Sequence, residues 1–102
     1  MALRYPSARM ADEEARRWVV EGQVQGVGYR YFARQAATAL GVRGWVRNLP
    51  EGRVEVQVAG PPDALSALKA ELMRGPRGAR VEEIEEERLV QVPTWQAFNI
   101  VF

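Results

Sequence analysis

The amino-acid sequence predicts an α+β fold of two layers, in which two helices pack on one face of an antiparallel sheet. Two patterns lead to this prediction: several short segments carry apolar residues at every second position, and two longer segments carry them at helical spacing. Their order along the chain is β-α-β-β-α-β, with an additional short strand at the end. The chain has 102 residues, of which 47% are apolar, so it can form one domain with one core.

The first strand and the first helix are separated by a turn rich in glycine. Val20 and Val24 share one face of a strand predicted over residues 17–24. A helix is predicted over residues 29–40, and Gly41 is placed to end it. Apolar residues at i, i+4 spacing define the face of this helix that we expect in the core: Phe32, Ala33, Ala36, Ala37 and Leu40.

The next two strands form a predicted hairpin, over residues 42–49 and 53–59, because the turn between them is short and contains proline and glycine. Alternation in the earlier strand does not decide which of its faces meets the helices. The later strand alternates cleanly, with Glu55 and Gln57 predicted to face outward. Its inward residues are Val54, Val56 and Val58.

The second helix is predicted between the proline pair at 61–62 and Gly75, with Leu65, Leu68 and Leu72 on its core face. A fourth strand is predicted over residues 79–91, with Val81 and Ile84 facing inward. Its acidic run is typical of a solvated sheet edge. Phe98, Ile100 and Phe102 then alternate as a final short strand.

This order of elements predicts a ferredoxin-like two-layer sandwich, built from two right-handed crossovers around a central hairpin. Residues 1–16 are polar and are predicted to be a loosely ordered leader, which leaves residues 17–102 as the domain. The chain has no run of apolar residues long enough to span a membrane and no apolar core of a signal peptide near its start. We therefore expect a cytoplasmic protein without a membrane partner.

Composition restricts the chemistry that the protein can perform. The chain contains no cysteine and no histidine, which excludes a thiolate nucleophile, a disulfide, a histidine base and the commonest metal ligands. The net charge is only +1, so no overall field favours nucleic acid. Catalysis would have to use arginine, carboxylates, amides, hydroxyls and the backbone.

The stretch from residue 22 to residue 30 (GQVQGVGYR) has the pattern of an anion-binding turn. It joins the end of a strand to the start of a helix, where backbone N–H groups lack internal partners and the helix dipole adds positive charge. Arg30 adds a planar guanidinium that fits two phosphate oxygens. A plain tight turn followed by a solvated arginine has the same pattern, so the stretch alone leaves both interpretations open.

Three stretches together resemble the acylphosphatase family. Residues 22–30 are similar to its first signature, G-x-V-Q-G-V-x-[FY]-R, and residues 44–48 (GWVRN) with Gly52 are similar to its second, G-W-V-x-N-x-x-x-G. Residues 75–81 give a weaker third match. The resemblance covers roughly residues 17–102.

This resemblance implies an enzyme that hydrolyses the carboxyl-phosphate bond of small acyl phosphates without a metal or cofactor. It implies that Arg30 binds the substrate and that Asn48 holds the attacking water, whose proton passes to a phosphate oxygen of the substrate. It further implies a phosphate-binding loop formed by Gln25, Gly26, Val27, Gly28, Tyr29 and Arg30. Because the chain looks self-sufficient, we expect a monomer. The near-neutral net charge leads us to expect no binding of nucleic acid.

Two alternatives to an enzyme remain at this point. A domain that senses phosphate without turnover would need the loop but not Asn48. An RNA-binding domain can have the same order of elements, but such domains present aromatic residues on the open face of the sheet, usually with basic flanks. Here the third strand presents Glu55 and Gln57 instead, which disfavours RNA binding.

Overall fold

A computed structural model describes residues 13–102 of the chain. The predicted order of elements and the ferredoxin-like sandwich are confirmed, and the strands form one five-stranded sheet in the order β4-β1-β3-β2-β5. The elements are β1 (Glu14–Gln23), α1 (Tyr29–Leu40), β2 (Arg43–Asn48), β3 (Val54–Gly60), α2 (Pro62–Arg74), β4 (Arg80–Arg88) and β5 (Phe98–Ile100).

The first strand begins earlier than the sequence predicted. Glu14–Arg16 were assigned to the leader, but they belong to β1 and pair with the end of β3. Ala15 is buried there, opposite Ala59, so a small apolar residue extends the strand into a segment that otherwise looks polar. Of the rest of the predicted leader, Glu13 is described and pairs with Arg43, whereas residues 1–12 lie outside the described residues.

The sheet is mixed rather than wholly antiparallel as predicted. Four strands are antiparallel to their neighbours, whereas β5 pairs with β2 in parallel, with Val46 opposite Ile100. The cause is the path of the chain. β4 ends at the end of the sheet where β2 begins, and residues 89–97 cross that end, so β5 enters beside the start of β2 and runs with it.

The core lies between the helices and the inner face of the sheet. The prediction for α2 is confirmed, since Leu65, Leu68 and Leu72 are fully buried. The core face of α1 is confirmed at four of its five predicted residues, since Ala33 and Ala37 are buried and Phe32 and Ala36 pack against the core. Leu40 is exposed instead, and Tyr29 is buried in addition. On β2, Val46 is buried against the helices, so the face that it shares with Asn48 is the inner one.

A β-bulge explains how Val81 and Ile84, three residues apart, both contact the core as predicted. Glu21 pairs with Glu83 but Gly22 pairs with Val81, so Glu82 is the extra residue on β4. The strands approach so closely there that a Cβ on Gly22 would lie 2.0 Å from the carbonyl oxygen of Arg80. Glycine at position 22 therefore permits the bulge.

Glu55 faces outward as predicted, but it is covered by its neighbours rather than exposed to solvent. It lies on the face of β3 away from the helices and is only 3% exposed. Arg17 Nε donates to its carboxylate over 2.6 Å and Arg47 Nε over 2.8 Å. The outer face of the sheet therefore holds a covered ion-pair cluster, which alternation along one strand could not predict because it depends on β1 and β2.

Candidate active site

The loop between β1 and α1 has the backbone shape that the glycine spacing predicts. Gly26 has φ of 79° and Gly28 has φ of 76°, and Gly28 is the residue that precedes the helix. This left-handed conformation costs other residues roughly 1–2 kcal/mol. The loop thus turns directly into the first turn of α1.

The N–H groups of this loop are free to bind an anion. Among residues 13–102, no turn, loop or cap hydrogen bond has its backbone donor between residues 25 and 31. The first internal bond at this end of the helix runs from Phe32 N to Gly28 O over 3.0 Å. Free donors at a helix N-terminus, together with the helix dipole, favour a phosphate or carboxylate group.

Two side chains predicted in the phosphate-binding loop fix the loop instead of lining its cavity. Gln25 Nε2 donates to the carbonyl oxygens of Leu49 and Arg53, over 2.8 and 2.9 Å, and so ties the loop to the turn between β2 and β3. Val27 packs against the core. Any contact of these two residues with phosphate is left to their backbone.

Tyr29 is also a structural side chain. It is buried, and its hydroxyl donates to the carbonyl oxygen of Leu72 over 2.7 Å, which joins the start of α1 to the end of α2. Burial raises the pKa of this hydroxyl well above its ordinary value, so the phenol stays protonated. The side chain therefore positions the loop and supplies no base.

One cavity of about 180 Å³ brings together the residues predicted to act on the substrate. Arg30 and Asn48, which are far apart in sequence, both line it, together with Gly26 and Gly28. Tyr29 also contributes to the lining. The cavity thus lies where the helix start, the glycine loop and the end of β2 meet.

Arg30 presents a charge that the described residues do not neutralise. No ion pair joins it to a carboxylate within residues 13–102, whereas Arg17, Arg43 and Arg47 are all paired. Its guanidinium carbon lies 4.9 Å from the centroid of the Phe102 ring. The aromatic face stabilises the cation and leaves its N–H donors available to an anion.

Asn48 has an acceptor atom without a partner in the described part of the chain. It is the last residue of β2, and its Oδ1 is buried with no donor in reach. A buried amide oxygen normally accepts a hydrogen bond, and its lack is costly. Oδ1 is therefore suited to accept a hydrogen bond from a water molecule in the adjoining cavity.

The sequence reasoning missed the apolar residues of the cavity, which are Val24, Tyr31, Ile100 and Phe102. The alternation of Phe98, Ile100 and Phe102 could have shown that Phe102 shares the inner face with core residues. The signal was incomplete, because only the parallel pairing of β5 with β2 shows that this face reaches the loop.

A two-layer α+β domain that places a glycine loop, a carboxamide and an arginine unpaired within residues 13–102 around one cavity is suited to a small enzyme with an anionic substrate. The family model described as Acylphosphatase matches residues 16–100. The chain belongs to the acylphosphatase family, and its predicted activity, that of an acylphosphatase acting on a small-molecule acyl phosphate, is confirmed. Neither helix within residues 13–102 has the length and apolarity needed to span a bilayer.

Relatives and solved structures agree with this assignment. The acylphosphatase of Solibacter usitatus is 50% identical over 91 residues, which are 89% of this chain and 94% of that protein. The acylphosphatase structure from Bacillus subtilis has a TM-score of 0.85 at 34% identity, covering 87% of this chain and 99% of its own. That from Coxiella burnetii has a TM-score of 0.86 at 33% identity, covering 91% and 97%.

Proposed function

We propose that this acylphosphatase hydrolyses its substrate by direct attack of a water molecule on phosphorus, with Arg30 and Asn48 as the catalytic residues. One observation supports the proposal above all: both side chains line the same cavity as the glycines of the free N–H loop. Arg30 carries the charge for the phosphoryl end of the substrate. Asn48 carries an acceptor for water.

The phosphoryl group binds in the loop formed by residues 25–30. Backbone N–H groups and the Arg30 guanidinium supply donors that are fixed before the substrate arrives, so they need little reorganisation during the reaction. Their positive potential stabilises the negative charge that is spread over the phosphoryl oxygens in the transition state. Gln25 contributes by holding the loop against the turn that follows Asn48.

The water lies at Asn48, with one of its hydrogens donated to Oδ1. This hydrogen bond fixes the direction of the water's lone pairs toward phosphorus and converts a random encounter into a positioned attack. A carboxamide is no base, so Asn48 orients the water without taking its proton.

The bond changes and the proton transfer of this reaction need no further residue of the protein. The water oxygen forms a bond to phosphorus, the bond from phosphorus to the acyl oxygen breaks, and the carboxylate leaves with that electron pair. The proton of the water passes to a phosphoryl oxygen of the substrate. A carboxylate is a good leaving group, so the reaction needs positioning and charge stabilisation more than a strong acid.

We further propose that the protein works in the cytoplasm as a monomer, without a metal, a cofactor or nucleic acid. The outer face of the sheet supports the last point. Glu55 holds Arg17 and Arg47 in ion pairs there, so these arginines are not free for a phosphate backbone. Aromatic stacking on RNA would also have to displace Arg47 from the ring of Trp45, which lies 5.4 Å away.

Hydrolysis of benzoyl phosphate in water enriched in oxygen-18, with a chelator present, tests this proposal. We expect turnover that the chelator does not reduce, with the heavy oxygen in inorganic phosphate and none in benzoate. Label in benzoate would show attack at the acyl carbon and refute attack on phosphorus. Loss of activity on chelation would refute the absence of a metal.

A further inference from the structure

Two aromatic side chains stand exposed beside the proposed phosphate site. Tyr31 is 54% exposed and Phe102 is 97% exposed, and both line the same cavity as Arg30 and Asn48. Ile100 and Val24 line it as well. The cavity is therefore lined by apolar side chains as well as by polar groups. A phosphate ion alone would need only the polar groups.

The register of β5 determines where Phe102 lies. Val46 pairs with Ile100 in parallel, and the chain continues in this register because Val101 N donates to Val46 O over 2.8 Å. Continued for two residues beyond the end of β5, this register brings Phe102 toward Asn48, and both residues line the cavity. Tyr31 approaches from the first turn of α1, so aromatic rings come from both layers.

An acyl phosphate has a phosphoryl end and an acyl end, and the acyl end is the part of the substrate that the apolar side chains of the cavity could contact. When the phosphoryl end occupies the loop and Arg30, the acyl end must extend from the same cavity. An acetyl group offers one methyl to such walls, whereas a benzoyl group offers a ring that can pack against aromatic faces.

We propose that Tyr31, Ile100 and Phe102 form a subsite for the acyl group, and that the enzyme favours acyl phosphates with an aromatic or extended apolar acyl group over acetyl and carbamoyl phosphate. This inference rests on the proposed function, since it needs the phosphoryl group in the loop. The contact of Phe102 with Arg30 leads to a rival role, in which the ring merely holds the guanidinium in place. That role would affect all substrates equally.

The test compares kcat/KM for benzoyl phosphate and acetyl phosphate in the parent, Tyr31→Ala and Phe102→Ala. Tyr31→Phe and Phe102→Leu keep an apolar wall, and Val90→Ala changes a residue that is 99% exposed and outside the cavity. We expect each alanine variant to lower the ratio of benzoyl to acetyl kcat/KM by about tenfold, the scale on which apolar pockets discriminate. The three other variants should keep the parent ratio to within about twofold of its value, since they retain the apolar walls.

An unchanged ratio in both alanine variants, or an equal fall for both substrates, would overturn the subsite and favour the positioning role. If the parent hydrolysed neither substrate above background, the proposed function itself would fail. These results are distinct, because the first requires an active parent and the second an inactive one.

Discussion

Within the described part of the chain, Arg30 combines an unpaired charge with a fixed place at the start of α1. Other arginines of the sheet, such as Arg17 and Arg43, have carboxylate partners within hydrogen-bond distance, and their charge is already used in the fold. Arg30 contacts the ring of Phe102 instead. A guanidinium and loop N–H groups that have no partner among residues 13–102 are suited to an anionic ligand rather than to stabilising the fold.

Replacement of Arg30 should weaken catalysis more than stability. We expect Arg30→Ala to lower kcat/KM for benzoyl phosphate on the order of 10²–10³-fold, because a fixed donor to the developing charge is lost. Arg30→Lys keeps the charge but loses the planar fork, so its activity should be intermediate. Arg88→Ala, at an exposed arginine of the edge strand β4, is the matched control. A variant Arg30→Ala with parental activity would contradict the assignment.

At the scale of elements, the site depends on how the β1–α1 loop and the β2–β3 hairpin are held together. Gln25 crosses between them with two hydrogen bonds, to Leu49 and to Arg53. Arg53 O also accepts from Leu49 N, which closes the turn. The proposed phosphate-binding loop is thereby anchored next to Asn48, which immediately precedes that turn.

Loss of this tie should affect stability and turnover together. Each neutral hydrogen bond of this kind contributes about 0.5–1.5 kcal/mol, so Gln25→Ala should lower the free energy of unfolding by about 1–2 kcal/mol. We expect kcat/KM to fall roughly tenfold as the loop moves relative to Asn48. Urea unfolding and steady-state kinetics measure both effects, with the exposed Gln96→Ala as control. If the free energy of unfolding and kcat/KM of Gln25→Ala both equalled the parent values, the two hydrogen bonds of Gln25 would not be needed to hold the loop.

The sequence predicted most of the fold because each pattern there was local. Alternation in β3, the leucine stripe of α2 and the glycines that bound the helices are properties of neighbouring residues. The parallel entry of β5 and the burial of Glu55 were not predicted, because both depend on strands distant in sequence. For the site, the motifs named Arg30 and Asn48, whereas the roles of the Gln25 and Tyr29 side chains follow only from contacts across the fold.

At the scale of the whole molecule, Glu55 connects three strands on the outer face of the sheet. Burial raises the pKa of its carboxyl, but hydrogen bonds from Arg17, Arg47 and Gln57 outweigh that effect and hold the pKa below its ordinary value. A carboxylate with a lowered pKa in the folded state stabilises the fold above the pKa of the unfolded chain. That contribution disappears as pH falls through the folded value.

Glu55→Gln should therefore destabilise the protein in a pH-dependent way. Hydrogen bonds to charged groups contribute about 1.5–3 kcal/mol each, so we expect a loss of roughly 2–3 kcal/mol at neutral pH. The difference from the parent should shrink as pH falls below about 4.5, where Glu55 of the unfolded chain begins to be protonated, and should be smallest once the folded carboxylate is protonated too. The free energy of unfolding of the parent and of Glu55→Gln, measured from neutral pH to below about pH 4.5, tests this prediction, with Glu83→Gln on β4 as control. A difference independent of pH would contradict the role of the charge.

The absence of histidine from the whole chain leads to a second pH prediction. No side chain with an ordinary pKa near neutrality is available, so kcat should be nearly constant between about pH 6 and 8 apart from the titration of the substrate itself. A pH–rate profile measured with parent enzyme tests this. A steep limb that remains after correction for the substrate would falsify direct attack without an enzyme base.

The division of labour between Arg30 and Asn48 is tested most directly by Asn48→Ala, measured for turnover and for binding of inorganic phosphate. Oδ1 has no partner in the described part of the fold, so its removal leaves no protein group unsatisfied. We expect kcat for benzoyl phosphate to fall on the order of 10²-fold or more while phosphate binds as in the parent, with Asn99→Ala as the asparagine control. Parental kcat in Asn48→Ala, or a loss of phosphate binding that accounts for the whole effect, would contradict the account.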